Sequence, residues 1–175
     1  MQVLTAALGI VCLSMIAYQD LTSRRVEWIY FPLLAIAGLL HSFTGLHTWK
    51  QVFFYTGCNL GFLAVQFILL GAWFLIRGTA LTQIVDKKIG WGDVLFLVAA
   101  GCFFSPVNFI SFYISGLVIS LAVAVLWMGI KRSTALSIPL AGLQSMLLLM
   151  LLCTAAVLHF SFLSDRWLMD KIIRP

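Results

Sequence analysis

Two acidic residues of this chain lie where apolar segments meet polar ones. Asp20 follows the first apolar segment, and Asp93 precedes another, directly after the run Gly90-Trp91-Gly92. The other four acidic residues lie among charges in polar stretches: Glu27, Asp86, Asp165 and Asp170. Placing a carboxylate at the edge of an apolar span costs free energy, so its presence there indicates a functional site. Two aspartates that come together can share one proton and activate a water for peptide-bond hydrolysis.

The composition places these aspartates in a membrane protein. Of the 175 residues, 62% are hydrophobic and 10% are charged, and the mean hydropathy is +1.06. Soluble domains carry about 25% charged residues, so this composition excludes an ordinary soluble protein. The net charge of +5 comes from basic residues in polar connections, where such residues orient a membrane protein. The expected partner is therefore a lipid bilayer, and no nucleic-acid partner is indicated.

Six apolar segments predict an all-α, polytopic membrane protein with six transmembrane helices and a single domain over residues 1–175. A span needs about 20 apolar residues. The predicted helices cover about 3–18, 28–43, 52–76, 91–104, 109–129 and 138–162. The first is predicted to be a retained helix, because basic residues follow it and none precede it. In the third, Asn59 and Gln66 lie seven residues apart on one face and are predicted to bond neighbouring helices, and the spacing of Gly57 and Gly61 permits close helix approach.

The basic residues predict how these helices are oriented. The connections after the first, third and fifth helices hold seven of them: Arg24, Arg25, Arg77, Lys87, Lys88, Lys131 and Arg132. The other two connections hold Lys50 alone. The positive-inside rule therefore predicts that the first set faces the cytoplasm and that both termini lie outside. Asp20 and Asp93 then lie at the same, cytoplasmic face.

The sequence indicates neither a metal site nor a cofactor. Its four cysteines lie in apolar runs and form no Cys-x-x-Cys pair, so they are expected to pack as small hydrophobic residues. Its three histidines have no partner at metal-ligand spacing.

The run Gly90-Trp91-Gly92-Asp93 resembles the Gly-x-Gly-Asp motif of the type IV prepilin peptidases, which are intramembrane aspartyl proteases. The family's first motif, an aspartate at a helix end followed by basic residues, is similar to the stretch from Asp20 to Trp28. Residues 137–141, Ser-Ile-Pro-Leu-Ala, resemble the Ile-Pro-Phe stretch that opens the family's last helix. The resemblance covers nearly the whole chain. It matches the compact six-span members, which lack the cytoplasmic cysteine-bearing domain.

The resemblance implies an aspartic-type endopeptidase that cleaves the leader peptide of prepilins or pseudopilins at the cytoplasmic face of the bacterial inner membrane. Asp20 and Asp93 would be the catalytic pair. Gly90 and Gly92 would let a substrate backbone come close, and Trp91 would shape the site or lie at the membrane interface. Helix dipoles favour Asp93, at a helix N-terminus, as the ionised base and Asp20, at a C-terminus, as the proton donor.

Two departures from the family pattern leave other functions open. The family's lysine, two positions after the motif aspartate, is Leu95 here, and its Pro-Asn pair is Glu27-Trp28. These differences favour a catalytically degenerate homologue that serves pilus or secretion assembly. The other alternative is a small transporter in which Asp20 and Asp93 bind protons or cations. Against it, transport sites tend to lie near the membrane midplane.

Overall fold

The computed structural model describes residues 2–46, 48–77, 90–131, 140–158 and 163. Within these ranges the secondary structure is helical, without strands. The helices are α1 (Gln2–Ser23), α2 (Tyr30–Leu46), α3 (Trp49–Ile76), α4 (Trp91–Ala100), α5 (Pro106–Lys131) and α6 (Leu140–Leu158). A 3-10 turn, Gly101–Phe103, continues α4. The predicted all-α fold class is confirmed for the described residues.

Three of these helices are long and apolar enough to cross a membrane, whereas six spans were predicted. They are Leu4–Ser23 within α1, Trp49–Ile76 and Pro106–Leu126 within α5. The remaining helices are apolar but shorter. The segment Trp91–Phe103, for example, is only about 20 Å long at 1.5 Å per residue. A bilayer core is about 30 Å thick, so length alone does not make this segment a span.

The buried core contains residues from all six helices, and α1 makes its most extensive contacts with α2 and α6. Phe103, from the 3-10 turn, is among the largest fully buried side chains. Its ring fits against α2 because Gly38 has no side chain: a Cβ there would lie 2.7 Å from two ring carbons. The turn after α4 is thereby held inside the bundle.

Polar side chains from two neighbouring helices bind the main chain of this buried turn. Ser42 of α2 donates to the Cys102 carbonyl at 2.6 Å. Asn59 of α3 donates through Nδ2 to the carbonyls of Gly101 at 2.8 Å and Phe104 at 2.9 Å. Carbonyls at a helix end lack helical partners and are costly to leave unbonded in an apolar interior. The prediction of bonds to neighbouring helices is confirmed for Asn59, whereas the described residues show no such bond for Gln66.

The first helix extends beyond its predicted end. α1 continues to Ser23 instead of ending near Tyr18, so Asp20 lies within its last turn. The helix stops at Arg24, whose φ of 54° is left-handed and whose N–H bonds the Asp20 carbonyl at 3.2 Å. This geometry is a common helix C-cap, although glycine usually occupies it.

One packing prediction for the apolar helices was wrong, and another was confirmed only in part. A Cβ at Gly57 or Gly61 would meet nothing within 4 Å, so this glycine pair makes no close helix approach in the described structure. The prediction that the cysteines pack as small hydrophobic residues is confirmed for Cys12 and Cys102, which are buried, and wrong for Cys58 and Cys153, which are exposed. Residues 78–89, which hold Lys87 and Lys88 of the seven predicted cytoplasmic basic residues, and residues 137–139 of the predicted last-helix motif lie outside the described residues.

Candidate functional site

The two predicted aspartates meet at the first turn of α6. Asp93 Oδ1 accepts a hydrogen bond from the N–H of Ala141 at 2.9 Å. Asp20 Oδ2 accepts one from the N–H of the next residue, Gly142, at 2.5 Å. Consecutive amide nitrogens in a helix are about 3 Å apart, so the two accepting oxygens are at most about 8.5 Å apart. Residues far apart in the chain therefore form one paired-carboxylate site.

The local structure explains why α6 attracts both carboxylates. The first N–H groups of a helix have no helical acceptor, and the helix dipole favours negative charge at this end. Ala141 and Gly142 directly follow Leu140, the first residue of α6, so their N–H groups are such unpaired donors. Asp93 lies in the first turn of α4, where its own N–H bonds the Gly90 carbonyl at 3.0 Å.

Gly142 brings α6 close enough to bind Asp20. A Cβ at this position would lie 3.0 Å from Asp20 Oδ2, 3.2 Å from Asp20 Cβ and 3.3 Å from Leu21 Cγ. Sequence reasoning did not identify Gly142 or the Ala141 amide. The available signal was the small-residue pair Ala-Gly at the start of the last predicted helix.

The three motif residues before Asp93 differ in how they relate to the carboxylate. A Cβ at Gly90 would lie 3.0 Å from Asp93 Oδ2, so this glycine leaves space for the carboxylate. A Cβ at Gly92 would meet only Phe31 Cζ, at an ordinary 3.8 Å. Trp91 is 62% exposed and lies outside the buried core. The clearance that this motif provides beside Asp93 thus depends on Gly90.

Several electrostatic influences act on the two carboxylates. Both are partly buried, which disfavours their charge, while the donated amide N–H groups favour it. The positive charge of Arg24 acts on Asp20, and the charge of Asp20 acts on Asp93. The two like charges repel each other, which disfavours the state in which both carboxylates are ionised. The dipole-based roles of Asp93 as base and Asp20 as donor stay a prediction.

The residues that differ from the prepilin peptidase motifs have side chains at the surface. Leu95, at the position where that motif has a lysine, is 39% exposed. Trp28 is 71% exposed, and Glu27 is exposed with its N–H bonded to Gln19 Oε1 at 3.0 Å. Neither departure removes a hydrogen bond that the structure shows at Asp20 or Asp93.

No family model, curated protein or solved structure matches this chain. Within the described ranges, no group of three or more His, Cys, Asp or Glu side chains is placed to hold a metal ion. The fold and the site therefore define a helical protein of membrane character with two carboxylates bound to one helix N-terminus.

Proposed function

We propose that this protein is an aspartic-type endopeptidase that cleaves the leader peptide of prepilin-like or pseudopilin substrates. One observation carries the proposal: Asp20 and Asp93 bind consecutive amides of α6 and so form a carboxylate pair. Such a pair, sharing one proton, is what aspartyl proteases use to activate water. The resemblance of residues 90–93 to the prepilin peptidase motif supplies the substrate class.

The reaction needs one ionised and one protonated carboxylate. The ionised carboxylate accepts a proton from water as the water oxygen bonds the scissile carbonyl carbon. The protonated carboxylate donates its proton to the carbonyl oxygen, which gives a neutral gem-diol. The carboxylate that took the water proton then donates it to the amide nitrogen. As the C–N bond breaks, the other carboxylate takes a proton from one gem-diol hydroxyl, which releases a carboxylic acid and an amine. The pair is returned to its one-proton state, as general acid–base catalysis requires.

The proposed setting is the bacterial inner membrane, with six spans, both termini outside and the aspartates at the cytoplasmic face. The distribution of basic residues supports this orientation. The three shorter helices, α2, α4 and α6, complete the six spans by packing between the three long ones. In this arrangement the short basic leader of a substrate reaches the site from the cytoplasm while its apolar helix stays in the membrane.

Transport of a cation is a weaker explanation of the same site. A cation site needs oxygen acceptors directed at the ion. Here each carboxylate already accepts an N–H from α6, whose positive dipole end further opposes a bound cation. The degenerate-homologue alternative is separated from the peptidase by measuring cleavage.

Co-expression with a pilin-like substrate tests the proposal. The substrate has a basic leader, a glycine and then an apolar helix, and cleavage is followed as a decrease in its size. The wild type is expected to shorten it, whereas Asp20→Asn and Asp93→Asn, which keep the side-chain shape, leave it intact. Glu27→Gln removes an exposed carboxylate and serves as the matched control that retains cleavage. An unchanged substrate with the wild type, or full processing by either Asn variant, would contradict the mechanism.

A further inference from the structure

A second set of polar side chains lies buried on α5 and α6. Gln144 of α6 is fully buried, and neither its Oε1 nor its Nε2 has a hydrogen-bond partner among the described residues. Ser120 of α5 is 4% exposed, and its Oγ likewise has none there. A polar group that has no hydrogen bond in a bilayer interior costs on the order of several kcal/mol of free energy. These atoms are therefore suited to bind a polar ligand.

Gln144 lies one turn beyond the amides that hold the aspartates. It follows Ala141 by three residues, so both lie on the same side of α6. The Gln144 carboxamide lies beside Gly116 of α5, and helical side chains lean towards the helix N-terminus, where the Ala141 amide binds Asp93. Ser120 follows Gly116 by one turn on α5. In the proposed topology α5 and α6 run in opposite directions, so Ser120 also lies towards that end of α6.

The contact between α5 and α6 is suited to open for a ligand. α6 packs far more extensively against α1 than against α5, so separating α5 from α6 exposes less surface. Gly116 provides the space in which Gln144 lies: a Cβ there would be 3.2 Å from Gln144 Nε2. We call Gly116, Ser120 and Gln144 the polar seam.

We propose that the polar seam binds the main chain of the substrate peptide beside the scissile bond. A carboxamide has a carbonyl acceptor and N–H donors on one side, so Gln144 can form two hydrogen bonds with the N–H and C=O of one extended substrate residue. An extended substrate needs such partners, because its main-chain groups would otherwise be unbonded in an apolar interior. This inference rests on the proposed peptidase function and assigns Gln144 as a substrate-binding residue.

Kinetics on a synthetic leader-plus-helix peptide test the polar seam. Gln144→Leu removes both hydrogen-bonding groups at similar volume, and we expect KM to rise about tenfold or more. Its Tm should stay the same or rise, because a buried amide without a partner is removed. Ser120→Ala should have a smaller effect of the same kind. Ser115→Ala is the matched control on α5, since Ser115 is exposed and bonds its own helix at Phe112 O.

Binding to an inactive form makes this test independent of cleavage. The Asp20→Asn/Asp93→Asn double variant should bind the peptide, and Gln144→Leu in that background should weaken binding by a similar factor. If Gln144→Leu does not fold, Gln144→Met gives the same comparison. Unchanged KM and binding in a folded variant would overturn the inference while leaving the peptidase proposal intact. A wild type that cleaves no peptide would overturn the peptidase proposal. Weaker peptide binding by the Gln144→Leu variant would still show that the polar seam binds the peptide.

Discussion

Replacing Gly142 by alanine should disturb Asp20 without changing any ionisable group. The added methyl carbon would lie 3.0 Å from Asp20 Oδ2 and 3.2 Å from Asp20 Cβ. The carboxylate oxygen can rotate away, but the Cβ is fixed to the backbone of α1. α1 and α6 must therefore separate by a few tenths of an ångström, which lengthens the 2.5 Å hydrogen bond between the Gly142 N–H and Asp20 Oδ2.

The expected effect on stability is small and the effect on activity is large. Overpacking a core lowers the free energy of unfolding by about 1–3 kcal/mol, and replacing glycine by alanine within a helix raises it by about 0.5–1 kcal/mol. The free energy of unfolding should therefore fall by about 2 kcal/mol or less. A misplacement of about 1 Å at a catalytic centre can cost about a hundredfold in rate. For a shift of a few tenths of an ångström, we expect kcat to fall about tenfold or more.

Gly57→Ala is the matched control. It adds the same methyl group to a helical glycine of α3, where a Cβ would meet nothing within 4 Å. Thermal unfolding and peptide-cleavage kinetics of both variants in detergent are the measurements. We expect Gly57→Ala to remain within about twofold of the wild-type rate, since a methyl group in open space needs no movement. If Gly142→Ala cleaved at the wild-type rate while Asp20→Asn was inactive, the contact between α6 and Asp20 would not position the carboxylate.

Four further outcomes are expected. Gly38→Ala places a methyl carbon 2.7 Å from the Phe103 ring and should destabilise the fold by about 1–3 kcal/mol by thermal unfolding, whereas Gly61→Ala has open space and should not. Asn59→Ala removes two buried hydrogen bonds and should lower the free energy of unfolding by about 3 kcal/mol in a denaturant titration. Arg24→Gly removes the cost of a left-handed side-chain residue and should raise that free energy by about 1 kcal/mol, whereas Arg24→Ala should not. The cleavage rate should fall on both sides of a pH optimum, because low pH removes the ionised base and high pH removes the proton donor.

The membrane character and the helical fold could be predicted from composition. In an apolar chain with few charges, each backbone N–H and C=O needs an internal partner, and helices provide one within each segment. Asp20 and Asp93 could be identified for a related reason. Acidic residues at the edges of apolar spans cost free energy and are rare, so the two aspartates stand out in the sequence. Helix ends were less predictable. The extension of α1 to Ser23 depends on a left-handed arginine that sequence patterns do not favour.

The pairing of the aspartates was decided by tertiary structure. Asp93 is 48 residues from Ala141 and Asp20 is 122 residues from Gly142, and both meet at one helix N-terminus. Helices that are apolar on all sides carry little information about which face turns inward, so periodicity cannot supply their relative rotation. The same limit explains why Gly142 was missed and why the Gly57–Gly61 pair was wrongly expected to pack. The sequence by itself determined that two costly carboxylates exist at helix ends; the packing of α1, α4 and α6 decided that they form one site.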